Sequence, residues 1–173
     1  MPFALIPPAK VPSKLALAYD RLTHGGVLLT GVGSDGRANS MTISWWLFGP
    51  FYHGRPVSVV AVKPVRYTFN LLEQVGEYVV SVLDDSWRSA VDYCGCHSGR
   101  DGDKFAATGL TPAPSLHVRA PSIQQAAVNF ECRCYHVERP PHGILTPEHR
   151  ERPLGEQHSI HFAEVLAIQS WQP

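Results

Sequence analysis

The sequence has no excess of charge of either sign: Lys plus Arg and Asp plus Glu number 15 each in 173 residues, for a formal net charge of zero. Nucleic-acid binding needs a basic face to neutralise phosphates, so DNA and RNA are not expected partners. Charged residues of both signs together are also scarce, at 17 % against about 25 % in soluble domains. The 44 % of apolar residues excludes a disordered chain, and a surface so lightly charged suits burial against a second subunit. Met1 to Pro12 holds Lys10 and several prolines but no long apolar run, so neither a secretory core nor a membrane span is expected there. Only four cysteines are present, and a chain this long builds a core without disulfides. Reduced thiols, a cytoplasmic location and a single domain over residues 1–173 are the expectations. Internal repeats and low-complexity tracts are absent.

What is present is strand-rich. Val27 to Val32 and Ala38 to Trp46 are β-prone runs separated by Ser34-Asp35-Gly36, a strong hairpin signal. Further strands are expected at Val57 to Lys63, Tyr78 to Leu83, Ala126 to Val137 and Ile160 to Gln169. Short helices are expected over 14–23, over Tyr67 to Val75 ending at Gly76, and from the caps Asp84-Asp85-Ser86 to about Tyr93. Thr111-Pro112-Ala113-Pro114 forces extended chain. Arg139 to His158, rich in Pro, His and Arg without periodicity, reads as an exposed irregular insertion. Strands with only short local helices argue for an antiparallel barrel over a doubly wound parallel sheet.

Gly31-Val32-Gly33-Ser34-Asp35-Gly36 matches the dinucleotide pattern G-x-G-x-x-G, but its context rejects a Rossmann site. That site needs a helix after the glycines and an acidic residue about twenty positions on. Here Thr42, Ile43, Trp45 and Trp46 read as strand, and no acidic residue lies between Asp35 and Glu73. In Asn39 to Trp45, hydroxyls recur at positions 40, 42 and 44 along one strand face, either as a row of donors to a ligand or as the solvated face of a hairpin. Lys63, Arg66 and Thr68 lie at a strand-to-helix junction, where helix N–H groups are also free. This fits an anion pocket, with Arg66 forking two phosphate oxygens; the alternative is a helix start with solvated cations.

Asn39 to Trp45, Lys63 to Thr68, Asp92-Tyr93-Cys94-Gly95 and Ser98-Gly99-Arg100-Asp101 through Asp103-Lys104-Phe105, ending near Gly109 to Pro112, together resemble the flavin reductase-like family, which includes flavoredoxins. The resemblance extends from about Gly25 to Glu138 and resumes at Phe162 to Ala167. It implies a mainly β fold, a six-stranded antiparallel split β-barrel of Greek-key type with short peripheral helices. It also implies a homodimer with FMN near the subunit interface. Carried over by position, Asn39, Ser40, Met41, Thr42, Ile43, Ser44 and Trp45 line the ring and ribityl chain. Lys63, Arg66, Tyr67 and Thr68 hold the phosphate, and Ser98, Gly99, Arg100, Asp103 and Lys104 approach the flavin. Lys104 or Arg100 would offer positive charge to reduced flavin. The implied activity moves hydride from NAD(P)H through flavin to free flavin, a metal complex or a protein acceptor; a non-enzymatic FMN electron carrier is the alternative. Catalytic side chains are not identified, because the cofactor carries the chemistry.

The pairs Cys94/Cys96 and Cys132/Cys134, each followed by a histidine, allow a tetrathiolate metal site, but C-x-C spacing disfavours zinc and buried thiols are the preferred reading. No metal is expected. His142, His149 and His158 read as surface residues of the insertion, while His136 and His161 in strands are candidates to face flavin or nicotinamide. Trp45 and Trp46 must point to opposite faces of a regular strand.

Overall fold

The computed structural model describes residues 3–50 and 56–171. Its centre is an antiparallel sheet whose strands follow from alternating or continuous β-branched runs. They are β1 (Phe3–Leu5), β2 (Val27–Val32), β3 (Ala38–Ile43), β4 (Trp46–Pro50), β5 (Pro56–Val62) and β6 (Glu77–Val82). After a two-stranded ribbon of β7 (Pro112–Ala113) and β8 (Ser122–Ile123) come the long β9 (Val128–Glu138) and β10 (Ser159–Trp171). The order across the main sheet is β3-β2-β6-β9-β10-β5-β4, with β1 on β10.

That order makes a barrel. β3 and β4 lie at opposite ends of the path, yet only Ser44 and Trp45 join them. Three Cα steps reach about 11 Å at most, so the sheet curls until its two ends meet. The split lies along β10, whose first half pairs with β5 from Ser159 to Glu164 and whose end pairs with β1 from Gln169 to Trp171. The mainly β split-barrel expectation therefore holds, with eight strands in the sheet where six were expected. β1 is one addition; the other arises because the run 38–46 breaks at Ser44-Trp45 into two strands.

The interior is filled by Val27, Leu29, Trp46, Val60, Val62, Val80, Phe130 and Val165. Two of its aromatic side chains share one polar partner: Trp46 Nε1 donates to Ser58 Oγ at 2.8 Å, and Tyr78 Oη donates to the same oxygen at 3.0 Å. Trp46 is buried and Trp45 is 44 % exposed; the opposite-face expectation assumed one regular strand, whereas Trp45 lies in the break between β3 and β4. The glycine motif is the β2–β3 hairpin: Gly36 has φ +82°, its N–H donates to Gly33 O, and Asp35 Oδ1 accepts from Arg37 N at 3.0 Å.

Among the described residues five α-helices pack outside: α1 (Val11–Thr23), α2 (Tyr67–Val75), α3 (Arg88–Cys96), α4 (Lys104–Thr108) and α5 (Pro147–Arg150). Gly76, left-handed at φ 68°, ends α2 with its N–H on Leu72 O. The 139–158 segment is exposed over most of its length, as expected, but α5 shows that it is not wholly irregular. Pro147 sets its first turn, a 3-10 turn follows at Leu154–Glu156, and Gln157 Nε2 donates to Arg152 O at 2.7 Å and Arg150 O at 3.1 Å. His149 and Gln157 are buried, at 6 % and 4 % exposure. A four-residue helix carries too little periodicity to register in a sequence pattern.

Candidate functional site

β3 lies between α2 on one side and α3 with α4 on the other, and alternation assigns its side chains to different neighbours. Asn39 Nδ2 donates to Thr68 Oγ1 on α2 at 2.8 Å. Ser40 and Thr42 face the other way: Ser40 Oγ lies 3.2 Å from Thr30 Oγ1, and Thr42 Oγ1 donates to Val91 O in a short bond. The row of hydroxyls is therefore not a single ligand-facing set.

Two adjoining cavities open along β3. The larger, about 250 Å³, is walled by Asn39, Met41 and Thr42, by Arg66, Tyr67 and Thr68, and by Ser98, Gly99, Arg100 and Lys104. The smaller, about 150 Å³, shares Met41, Thr42 and Arg66 and adds Ile43, Ser44, Trp45, Lys63 and His158. The structure thus brings fourteen of the sixteen candidate residues to these two walls. Ser40 and Asp103 stand apart. Ser40 is fully buried and turns its carbonyl, not its hydroxyl, to the site's lysine; Asp103 caps α4, accepting from Phe105 N at 2.8 Å.

Electrostatically the site is cationic. Arg66 is the N-cap residue of α2, and no side chain caps that helix, so its first N–H groups and dipole face the cavity end unscreened. Arg100 lies over the Tyr67 ring at 5.5 Å and Arg37 at 5.8 Å, while Arg100 also donates to Val65 O. Lys63 Nζ pairs with Glu156 Oε2 at 2.7 Å, which holds the Glu156 carboxyl below the usual carboxylate range. Lys104 is buried and donates to Ser40 O at 2.9 Å and Cys94 O at 2.8 Å. Burial lowers its pKa, the neighbouring Cys94 thiol opposes that, and Arg66 adds to it. Two of its three donors are committed, leaving one for the cavity it lines.

Gly99 sets the closeness of the 98–104 loop. A Cβ there would overlap Asn39 Oδ1 and stand 2.7 Å from Tyr67 Cδ1, so only glycine lets the loop backbone reach the cavity wall.

Several residues on these walls were not among the candidates: Cys94, Gly95, Cys96 and His97 at the end of α3, and His158. The first group is foreshadowed by the Asp92 to Gly95 resemblance; His158 sits in the segment read as exposed insertion. The surface expectation fails for His149, which is buried, and for His158, which stacks on Trp45 with ring centroids 4.9 Å apart. His136 and His161 line neither cavity. His136 pairs with Glu138, and His161 lies in the interior against Phe69 and Cys134. Cys94 and Cys132 belong to different buried clusters, and among the described residues no group of three or more His, Cys, Asp or Glu is arranged to hold a metal.

Comparison with known proteins fits this geometry. A family model described as the flavin reductase like domain matches residues 19–170. An uncharacterised protein of Archaeoglobus fulgidus is 32 % identical over 146 residues, covering 81 % of this chain and 76 % of its own length. Flavoredoxin of Desulfovibrio vulgaris (Miyazaki F) superposes with a TM-score of 0.67 at 23 % identity, over 82 % of this chain and 67 % of that one. An FMN-binding protein from Thermus thermophilus, solved with 1-cyclohex-2-enone bound, gives a TM-score of 0.66 at 21 % identity, over 84 % and 70 % of the two chains. At such identities the structural likeness is one of fold.

Proposed function

The chain belongs to the flavin reductase-like family, and from that premise we propose that it binds FMN along β3 and passes reducing equivalents from NAD(P)H to free flavin or another acceptor. One observation carries this reading: Arg66, Thr68 and the uncapped start of α2 share a cavity with the polar strand Asn39 to Thr42. A flat polar ring with an anionic tail matches that combination of surfaces. Arg66, Arg100 and the α2 N–H groups hold the phosphate, with Thr68 donating a further bond and Lys63 adding charge. Gly99 admits the loop backbone to the ligand's edge, and Asn39 beside it ties β3 to Thr68.

FMN, when bound, supplies acceptance of hydride and its onward release as one or two electrons. The chain's own residues bind, orient and compensate charge. The one ammonium donor that Lys104 has left, in a buried setting, favours negative charge beside it more than it would in water.

A homodimer in the cytoplasm is part of the same proposal. Support for the dimer comes from exposed Leu47 and Ile144 at an apolar cavity of about 420 Å³ that also includes Trp45, Val59 and Phe162. Among the described residues no helix is long and apolar enough to cross a membrane.

The test is titration of the purified protein with FMN and with riboflavin, followed by anaerobic NADH or NADPH. FMN binding tighter than riboflavin, then bleaching by a nicotinamide, is expected. Equal affinity for the two flavins, or binding of neither, overturns the site. Tight FMN with no bleaching assigns the chain to electron carriage between proteins instead.

A further inference from the structure

His158, on the wall of the smaller cavity, is not free to choose its tautomer. Its backbone N–H donates to His149 Nε2 at 3.0 Å, and its own Nδ1 lies 3.1 Å from the same nitrogen. A backbone N–H can only donate, so His149 Nε2 presents a lone pair. A second lone pair at 3.1 Å would repel it; His158 Nδ1 therefore carries the ring proton. His158 Nε2 is left as a bare acceptor, and among the described residues it makes no hydrogen bond. The ring cannot easily turn away. It stacks on Trp45 with an interplanar angle of 15° and on His149 with centroids 4.8 Å apart, and His142 Nε2 donates to the His158 carbonyl at 2.8 Å.

We infer that His149 is a positioning residue: it locks His158 with the Nε2 lone pair available to the cavity, as an acceptor for a hydroxyl or amide N–H of the second substrate. The inference rests on the flavin reading for the identity of that cavity, but not for the tautomer. The surroundings preserve the lone pair. Burial first of all holds the His158 pKa down at about 4, and His149 and Arg152 from the 139–158 segment, Lys63 just after β5 and Arg66 before α2 add to it by opposing a positive charge there. The nearby carboxylate, Glu156, is paired with Lys63. The cavity therefore offers cations to anionic groups and, at His158, one acceptor to a donor group. The 139–158 segment supplies both imidazoles, which gives this surface segment a role in the site.

The test uses the protein without flavin, so its outcome is separate from FMN binding. Long-range proton–nitrogen correlation spectra at about pH 7 are expected to show His158 as the Nδ1–H tautomer. His149→Gln, whose Oε1 replaces the accepting nitrogen, is expected to retain it; His149→Ala is expected to convert His158 to a mixture with Nε2–H. An Nε2–H form in the parent protein, or an unchanged tautomer in folded His149→Ala, overturns the inference; should the alanine variant unfold, the parent and glutamine spectra decide. Phenol is expected to shift the His158 Nε2 signal and to bind about fivefold more tightly than its methyl ether, anisole. Equal binding of the two, or no shift with phenol, overturns the acceptor role.

Discussion

Asn39 and Thr68 are joined side chain to side chain, the Asn39 amide donating to the Thr68 hydroxyl oxygen at 2.8 Å with both residues buried. The bond ties β3 to the first turn of α2, the two walls of the larger cavity. It occupies a lone pair of Thr68 and leaves the hydroxyl proton for an anion.

Thr68→Val removes that proton and Arg66→Ala removes a forked cation, so both are expected to act through the phosphate. FMN affinity should fall about tenfold in the first and about ten- to a hundredfold in the second, with riboflavin affinity within about twofold for Arg66→Ala. Fluorescence titration with the two flavins checks this. A matching loss for riboflavin in Arg66→Ala would remove Arg66 from the phosphate role.

Lys104→Met leaves the carbonyls of Ser40 and Cys94 without their donor while retaining much of the lysine's length. A loss of about 3 kcal/mol of stability is expected from two buried acceptors. Urea unfolding measures it, and an unchanged midpoint would mean that water replaces the ammonium at no cost.

His161 is 1 % exposed, its Nε2 has no partner among the described residues, and burial holds its pKa at about 4 against an ordinary 6.5; Glu73 opposes this shift and Arg139 adds to it. The unfolded chain takes up a proton below about pH 6.5, whereas the folded chain refuses it until about pH 4. Stability is therefore full above the upper value and declines between the two, by at most about 3 kcal/mol from this residue. His158 adds a change of the same sign. Urea unfolding at pH 7 and at pH 5 should show the decline, and it should be smaller in His161→Phe.

Glu156→Gln releases Lys63 from its ion pair. The freed ammonium should raise FMN affinity about threefold at low salt, an advantage that fades as salt rises. Affinity measured at two ionic strengths checks both parts.

Much of the site was legible because its chemistry is local. Asp35-Gly36 announced the β2–β3 hairpin, and Arg66 and Thr68 fall within three residues at a strand-to-helix junction. What escaped depends on long-range contact. The break at Ser44-Trp45 lies inside a continuous β-prone run, and only closure of the barrel forces it. Ser40 has the residue type of a ligand contact, yet alternation turns its hydroxyl to Thr30. Lys104 reads as a charge in a polar loop and becomes an internal tether, because its partners lie 64 and 10 residues away in sequence. His149 and His158 lie nine residues apart on no common periodic element, so nothing before folding joins them.

The thiols divide sharply in accessibility. Cys94 and Cys132 are buried, and burial raises both their pKa values; Cys134, partly covered, is pushed up to about 12. Cys96 is exposed on the rim of the larger cavity. In the native state a maleimide dye should therefore attach at Cys96 far faster than at the other three, giving an optical reporter beside the binding site without any engineered cysteine.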